Sequence, residues 1–162
     1  MLTSWLTRFI LMLCLSITAC TGYAPPHAAL GMNKAELMAH MGPAEQERKL
    51  DTGSRLEYPR GPFGEQTWFV YLDAAGTVTR TEQVLTTENF DRINEGMAQD
   101  EVRLRLGRPS ETFLLGRDRG VVWNYRYTNI QCVWFQVEIS QQQQVRSAGY
   151  GIRPECLRLE SV

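Results

Sequence analysis

Gly31-Met32-Asn33-Lys34-Ala35-Glu36-Leu37-Met38-Ala39-His40-Met41-Gly42-Pro43 returns farther along the same chain as Gly96-Met97-Ala98-Gln99-Asp100-Glu101-Val102-Arg103-Leu104-Arg105-Leu106-Gly107-Arg108-Pro109. The Gly-Met pair, the Glu, the apolar positions and the closing Gly keep one constant offset. After a two-residue insertion the match resumes: Tyr58 with Tyr125, Trp68 with Phe135, Val70 with Val137, Leu72 with Ile139 and Val78 with Val145. Self-similarity at a fixed spacing is the mark of a repeated structural unit, so the chain reads as two tandem repeats, residues 30–86 and 87–162.

In the first copy Asn33 caps a helix with Glu36 three residues on, Leu37, Met38 and Met41 share a face, and Gly42-Pro43 stops it. In the second, Val102, Leu104 and Leu106 alternate with Arg103 and Arg105 as a strand would. Alignment to the first copy and the stop at Gly107 favour helix instead. Thr87 to Asn94 reads as a preceding helical turn or two, with Phe90 and Ile93 on one side. Leu56 to Tyr58 and Val121 to Tyr127 each read as a strand. Trp68 to Leu72, the loop Asp73-Ala74-Ala75-Gly76 and Thr77 to Leu85 form a hairpin, and Val133 to Ile139, Ser140 to Gln144 and Val145 to Ile152 repeat it. The expected fold is α+β: two tandem repeats, each a short helical pair packed on about three antiparallel strands, helices on one sheet face and water or a partner on the other.

The chain has 162 residues, 17 Lys+Arg against 18 Asp+Glu, and is 43% hydrophobic. That excludes a large multi-domain enzyme, a disordered chain and a strongly basic nucleic-acid binder. Arg8, the apolar run Phe9 to Leu15 and the small residues after it follow the order of a secretory signal, and the run is too short to span a bilayer. Ile17-Thr18-Ala19-Cys20 resembles the lipobox of bacterial lipoproteins. The resemblance implies that residues 1–19 are removed and that Cys20 carries a diacylglycerol and an acyl chain. Thr21, rather than Asp, after it implies sorting to the outer membrane of a Gram-negative cell. The alternative is an ordinary signal peptide cut near Ala19. Residues 20–29, with Pro25 and Pro26, read as a tether reaching at most about 30 Å. With Cys14 in the leader and Cys20 lipidated, Cys132 and Cys156 remain. In an oxidising compartment they suggest a disulfide closing about 24 residues, worth about 3 to 4 kcal/mol. Two free thiols, Cys132 packed in an aromatic strand, is the other reading.

Gly-Met-x-x-x-Glu-Leu/Val ending at Gly-Pro or Gly-Arg-Pro, then Trp-Phe-Val-Tyr-Leu strands, behind a lipobox, resembles the SmpA/OmlA (BamE-type) outer-membrane lipoproteins, here in tandem duplication. The tandem arrangement is also similar to that of the secreted β-lactamase inhibitor proteins. The first resemblance implies a non-enzymatic scaffold or accessory factor in β-barrel protein assembly or envelope integrity, at the periplasmic face of the outer membrane. The second implies an inhibitor of a periplasmic enzyme. The usual SmpA/OmlA member carries one copy, and Ala98 stands where the family tends to have a capping Thr or Ser, a loss of about 1 kcal/mol.

The two histidines, His27 in the tether and His40 near a helix end, lie at no metal-ligand spacing, and Gly-x-Ser-x-Gly and phosphate-cradling loops are absent. Glu45 and Glu47 read as a solvated connection. No catalytic residue, metal ligand or further cofactor is expected, and no nucleic-acid partner. The expected partner is a protein, with barrel-assembly machinery the candidate the first resemblance implies, besides the inner leaflet of the outer membrane. The residues offered to it are Phe69, Tyr71 and Trp134, on the strand side opposite Trp68, Val70 and Leu72. The alternative is that this side is buried between the repeats. Arg103, Arg105, Arg108, Arg117 and Arg119 read as a solvated face, or as a contact for acidic headgroups.

Overall fold

The computed structural model describes residues 23–116 and 120–157. The leader, Cys20, Arg117 and Arg119 lie outside the described residues. Repeat one runs α1 (Lys34–Met41), β1 (Gln46–Leu50), β2 (Gly53–Arg60), a 3-10 turn (Pro62–Gly64), β3 (Gln66–Leu72) and β4 (Val78–Gln83). Repeat two runs α2 (Thr87–Phe90), α3 (Gln99–Leu106), β5 (Glu111–Leu114), β6 (Val121–Arg126), β7 (Val133–Ile139), β8 (Val145–Ile152) and α4 (Pro154–Leu157). Each repeat forms one antiparallel sheet in chain order, β1-β2-β3-β4 and β5-β6-β7-β8. The fold is thus α+β with two sheets, but repeat one has a single helix before its strands where a pair was expected, and each sheet has four strands where three were expected. β1 and β5 escaped sequence reading because Gln46–Leu50 is charged and largely exposed, and Glu111–Leu114 has only four residues.

The repeated Gly-Met pair has a structural reason. Gly31 and Gly96, at φ of +86° and +83°, turn the chain so that its backbone pairs with the start of the last strand. Gly31 N–H donates to Val78 O and Val78 N–H to Met32 O. Gly96 N–H donates to Val145 O and Val145 N–H to Met97 O. Each long helix is thereby tied to the hairpin that closes its own sheet. The hairpin loops match as well. Asp73 Oδ1 accepts from the N–H groups of Ala75 and Thr77, and Gly76 sits at φ +80°. Ser140 Oγ accepts from Gln144, and Gln143 takes the left-handed position at φ +61°. Asn33 caps α1 with the expected box, whereas Ala98 gives α3 no side-chain cap.

Period-two alternation places Leu56, Tyr58, Val70 and Leu72 on one face of sheet one, where they bury Leu37 of α1 together with Val78. The opposite face, with Arg55, Glu57, Thr67 and Phe69, does not meet water: it meets α3. A Cβ built on Gly107 would lie 3.1 Å from Thr67 and 3.3 Å from Phe69, and Arg55 donates to Leu104 O at 2.8 Å. The other side of α2 and α3 packs Phe90, Ile93, Val102 and Leu106 on Trp123, Tyr125, Phe135, Val137 and Ile139 of sheet two. The layers therefore run α1, sheet one, α2 with α3, sheet two. Sheet one is covered on both faces, contrary to the single covered face expected, and sheet two on one face and at a corner of the other.

Candidate functional site

Phe69, Tyr71 and Trp134 do not form one surface. Phe69 is 1% exposed, in the core shared with repeat two, and its ring lies under the Arg55 guanidinium at 3.8 Å. Tyr71 is half-buried, donates to Glu82 and carries Arg80 over its ring. Trp134 is on the other sheet and only 4% exposed, beneath Arg126 and beside Phe113, not the open aromatic that was expected. The alternation that put Phe69 and Tyr71 opposite Val70 was right. What one strand does not reveal is that the next repeat's helix covers that side, and the reading in which it is buried between repeats applies to Phe69. Arg55, between Phe69 and α3, also donates to Glu57 at 2.6 Å, and both side chains are buried. Burying two charges is tolerated because each meets its opposite.

The outer face of sheet two is only partly covered: the 3-10 turn and α4 meet Arg126 at one corner, where Asn124, Arg126 and Trp134 are buried, while Phe113 and Ser147 are exposed. Register places Phe113, Val122, Asn124, Trp134, Gln136, Glu138, Ser147, Gly149 and Gly151 there. The two glycines leave β8 beyond Ser147 without side chains on this side, and the Gln136 side chain lies across Gly151. A shallow depression of about 270 Å³ opens beside it, floored by Val122 and Gly149 and bounded by Gln136, Glu138 and Ser147. Phe113, 48% exposed, stands beside the Trp134 ring at 6.2 Å between centroids. Gln136 donates to Asn124 Oδ1 at 2.9 Å, but Asn124 Nδ2 and Trp134 Nε1, both buried, have no acceptor among the described residues. Buried donors without partners are uncommon and costly. Sequence reasoning found Trp134 here but missed Phe113, Val122 and Asn124. The signal that was present is the glycine pair in β8.

At one corner Arg126 is sandwiched between Phe63 and Trp134 and pairs with Glu111 and Glu155. The Arg126 hydrogen bond holds the Glu155 carboxyl below the usual carboxylate range. Cys132 and Cys156 form a disulfide, Cα atoms 6.4 Å apart, which fixes α4 to the β6–β7 loop. Burial pushes the Tyr125 phenol far above its ordinary range, so it stays neutral and donates to Gly107 O at the end of α3. Of the arginine run, Arg103 lies over Trp123, Arg105 pairs with Glu101 and Arg108 reaches Glu45 of repeat one. Between the repeats a cleft of about 250 Å³ is lined by Arg55, Tyr71, Glu82, Arg92 and Arg105 among others, its charges of both signs. His27 and His40 are exposed and apart, and no cluster able to hold a metal occurs among the described residues.

No family model matches the chain, and no curated protein matches it. It is similar to a solved DUF4309 family protein (YjgB) from Bacillus subtilis, 12% identical over 82% of this chain and 83% of that one, TM-score 0.31. It is also similar to a "putative beta-lactamase inhibitor protein" from Streptococcus mutans, 12% identical over 78% and 86%, TM-score 0.32. An extracellular protein containing a SCP domain from Bacillus anthracis is 10% identical over 86% of this chain and 49% of its own, TM-score 0.32. Likeness at this level assigns neither fold family nor function. The SmpA/OmlA resemblance rests on the residues quoted for it alone.

Proposed function

We propose that this chain is a non-enzymatic lipoprotein of the periplasmic face of the outer membrane, anchored through Cys20, that holds a protein partner on the outer face of sheet two. Its service is positioning, in β-barrel protein assembly or envelope integrity. The observation that supports a protein partner is that face itself: a partly open sheet surface with a depression lined by Val122, Gln136, Ser147 and Gly149 beside a half-exposed Phe113. A docked partner covers Phe113, and aromatic anchors of this kind concentrate binding energy.

A photo-crosslinking residue at Phe113 or Ser147, compared with one at Ala35 on the exposed side of α1, tests this in the native membrane. Crosslinks to barrel-assembly subunits from 113 and 147 and none from 35 are expected. Crosslinks only from 35 overturn the assigned face. A periplasmic hydrolase crosslinked in their place, and inhibited by the purified chain, replaces the scaffold reading with the inhibitor one.

A further inference from the structure

The described part of the expected tether, residues 23–29, touches the folded body at two points. Ala29 is 2% exposed within the core of repeat one, its N–H donates to Pro26 O, and a Cβ built on Gly61 would lie 3.9 Å from the Tyr23 ring. The chain thus enters the folded body at the turn between β2 and β3. Only three peptide steps separate Tyr23 from Cys20, a span of at most about 10 Å.

That end of the molecule carries bulky apolar side chains that the fold does not use. Phe63, beside Gly61 in the 3-10 turn, is 77% exposed, and Ile130 in the β6–β7 loop is 100% exposed. Leu157 of α4 is 54% and Tyr23 itself 51% exposed. The three segments form one end: Arg153 joins Glu65 of the turn at 2.8 Å and takes its backbone bond to Cys132 O, Arg126 links Phe63 to Glu155, and the disulfide closes α4 on the loop. Phe63 adopts φ +56°, a left-handed conformation uncommon for a large side chain, while its ring stays outside the core. Two guanidiniums between these residues are paired with carboxylates, and a third is held by backbone carbonyls. Arg126 and Arg153 pair with Glu111, Glu155 and Glu65, and Arg60 donates to the carbonyls of Pro59 and Met41.

We infer that this end, bearing Tyr23, Phe63, Ile130 and Leu157, docks on the lipid surface, its apolar side chains entering the headgroup layer beside the anchor. The occupant follows from where the chain enters the body. Aromatic and aliphatic tips with internally paired charges match an interface that rewards buried apolar area and demands no net charge. The inference rests on the lipid anchor of the proposed function and adds which end of the fold faces the bilayer. Sheet two's strands then rise from that end, leaving its outer face open along the periplasm.

The test places tryptophan by Phe63→Trp, Ile130→Trp or, in the hairpin at the other end of β3, Ala75→Trp, in the lipidated chain reconstituted into vesicles of zwitterionic brominated phosphatidylcholine. Emission in excess of the unsubstituted chain is expected to be lost at 63 and 130 and kept at 75, with no change on adding salt. Quenching at 75, or none at 63 and 130, overturns the docking. Mass spectrometry of the mature protein tests the anchor separately. If Cys20 carries no lipid, the same variants with an amino-terminal hexahistidine on nickel-chelating brominated vesicles still decide the docking end.

Discussion

Gly42 and Gly107 end the two long helices alike, with φ of +74° and +77° and nearly extended ψ, a region that residues other than glycine scarcely enter. They differ in surroundings. Nothing lies within 4 Å of a Cβ at Gly42, whereas one at Gly107 would press on Thr67 and Phe69 of repeat one. Gly42→Ala is expected to cost about 1 to 3 kcal/mol, the backbone cost alone. Gly107→Ala is expected to cost about 1 to 3 kcal/mol more, because a packed joint must open. Urea denaturation midpoints of the two variants measure the difference. Both glycines were legible as helix stops. The second task of Gly107 was not, since its neighbours come from another repeat.

Among the elements, α3 is the one that starts poorly. Ala98 is its N-cap and offers no acceptor, while Glu101 stands at the third helical position, where Glu36 completes the capping box of α1. Ala98→Ser is expected to stabilise the protein by about 1 kcal/mol, and Asn33→Ala to destabilise it by a similar amount. Calorimetric midpoints check both, with a rise of about 3 °C for the first. The same helix shows how the sequence could be read and where it misled. Local alternation in Val102-Arg103-Leu104-Arg105-Leu106 says strand, and only comparison with the first copy says helix. Hairpins β3–β4 and β7–β8 were plain because turn chemistry and period-two burial agree there. β1 and β5 were hidden, since Gln46–Leu50 is charged and largely exposed and Glu111–Leu114 is only four residues long.

For the molecule as a whole, the joint between repeats decides stability. Arg55 spans it, tied to Glu57, to Leu104 O and to the Phe69 ring. Arg55→Ala leaves Glu57 buried with only Arg48 nearby, at 3.7 Å, and is expected to destabilise by about 3 to 5 kcal/mol. Arg55→Met, which keeps bulk against Phe69 but strands the same carboxylate, should recover only part of this, and double substitution with Glu57→Gln more. Chemical denaturation of the three variants gives the order. Two repeats, their order and the internal pairing of each were legible. How they stack was not, because the contact is made between residues distant in sequence with no shared pattern.

That charged joint has a bearing on how the chain is made. Synthesis delivers repeat one before repeat two exists, so for a time sheet one has α1 on one side and nothing on the other. The side left bare displays Arg55, Glu57 and Thr67 around Phe69 rather than a continuous oily surface. Hydrated charge on a half-finished sheet discourages premature association between nascent chains. The ion pair that later must be desolvated at the joint is, on that half-finished sheet, hydrated charge.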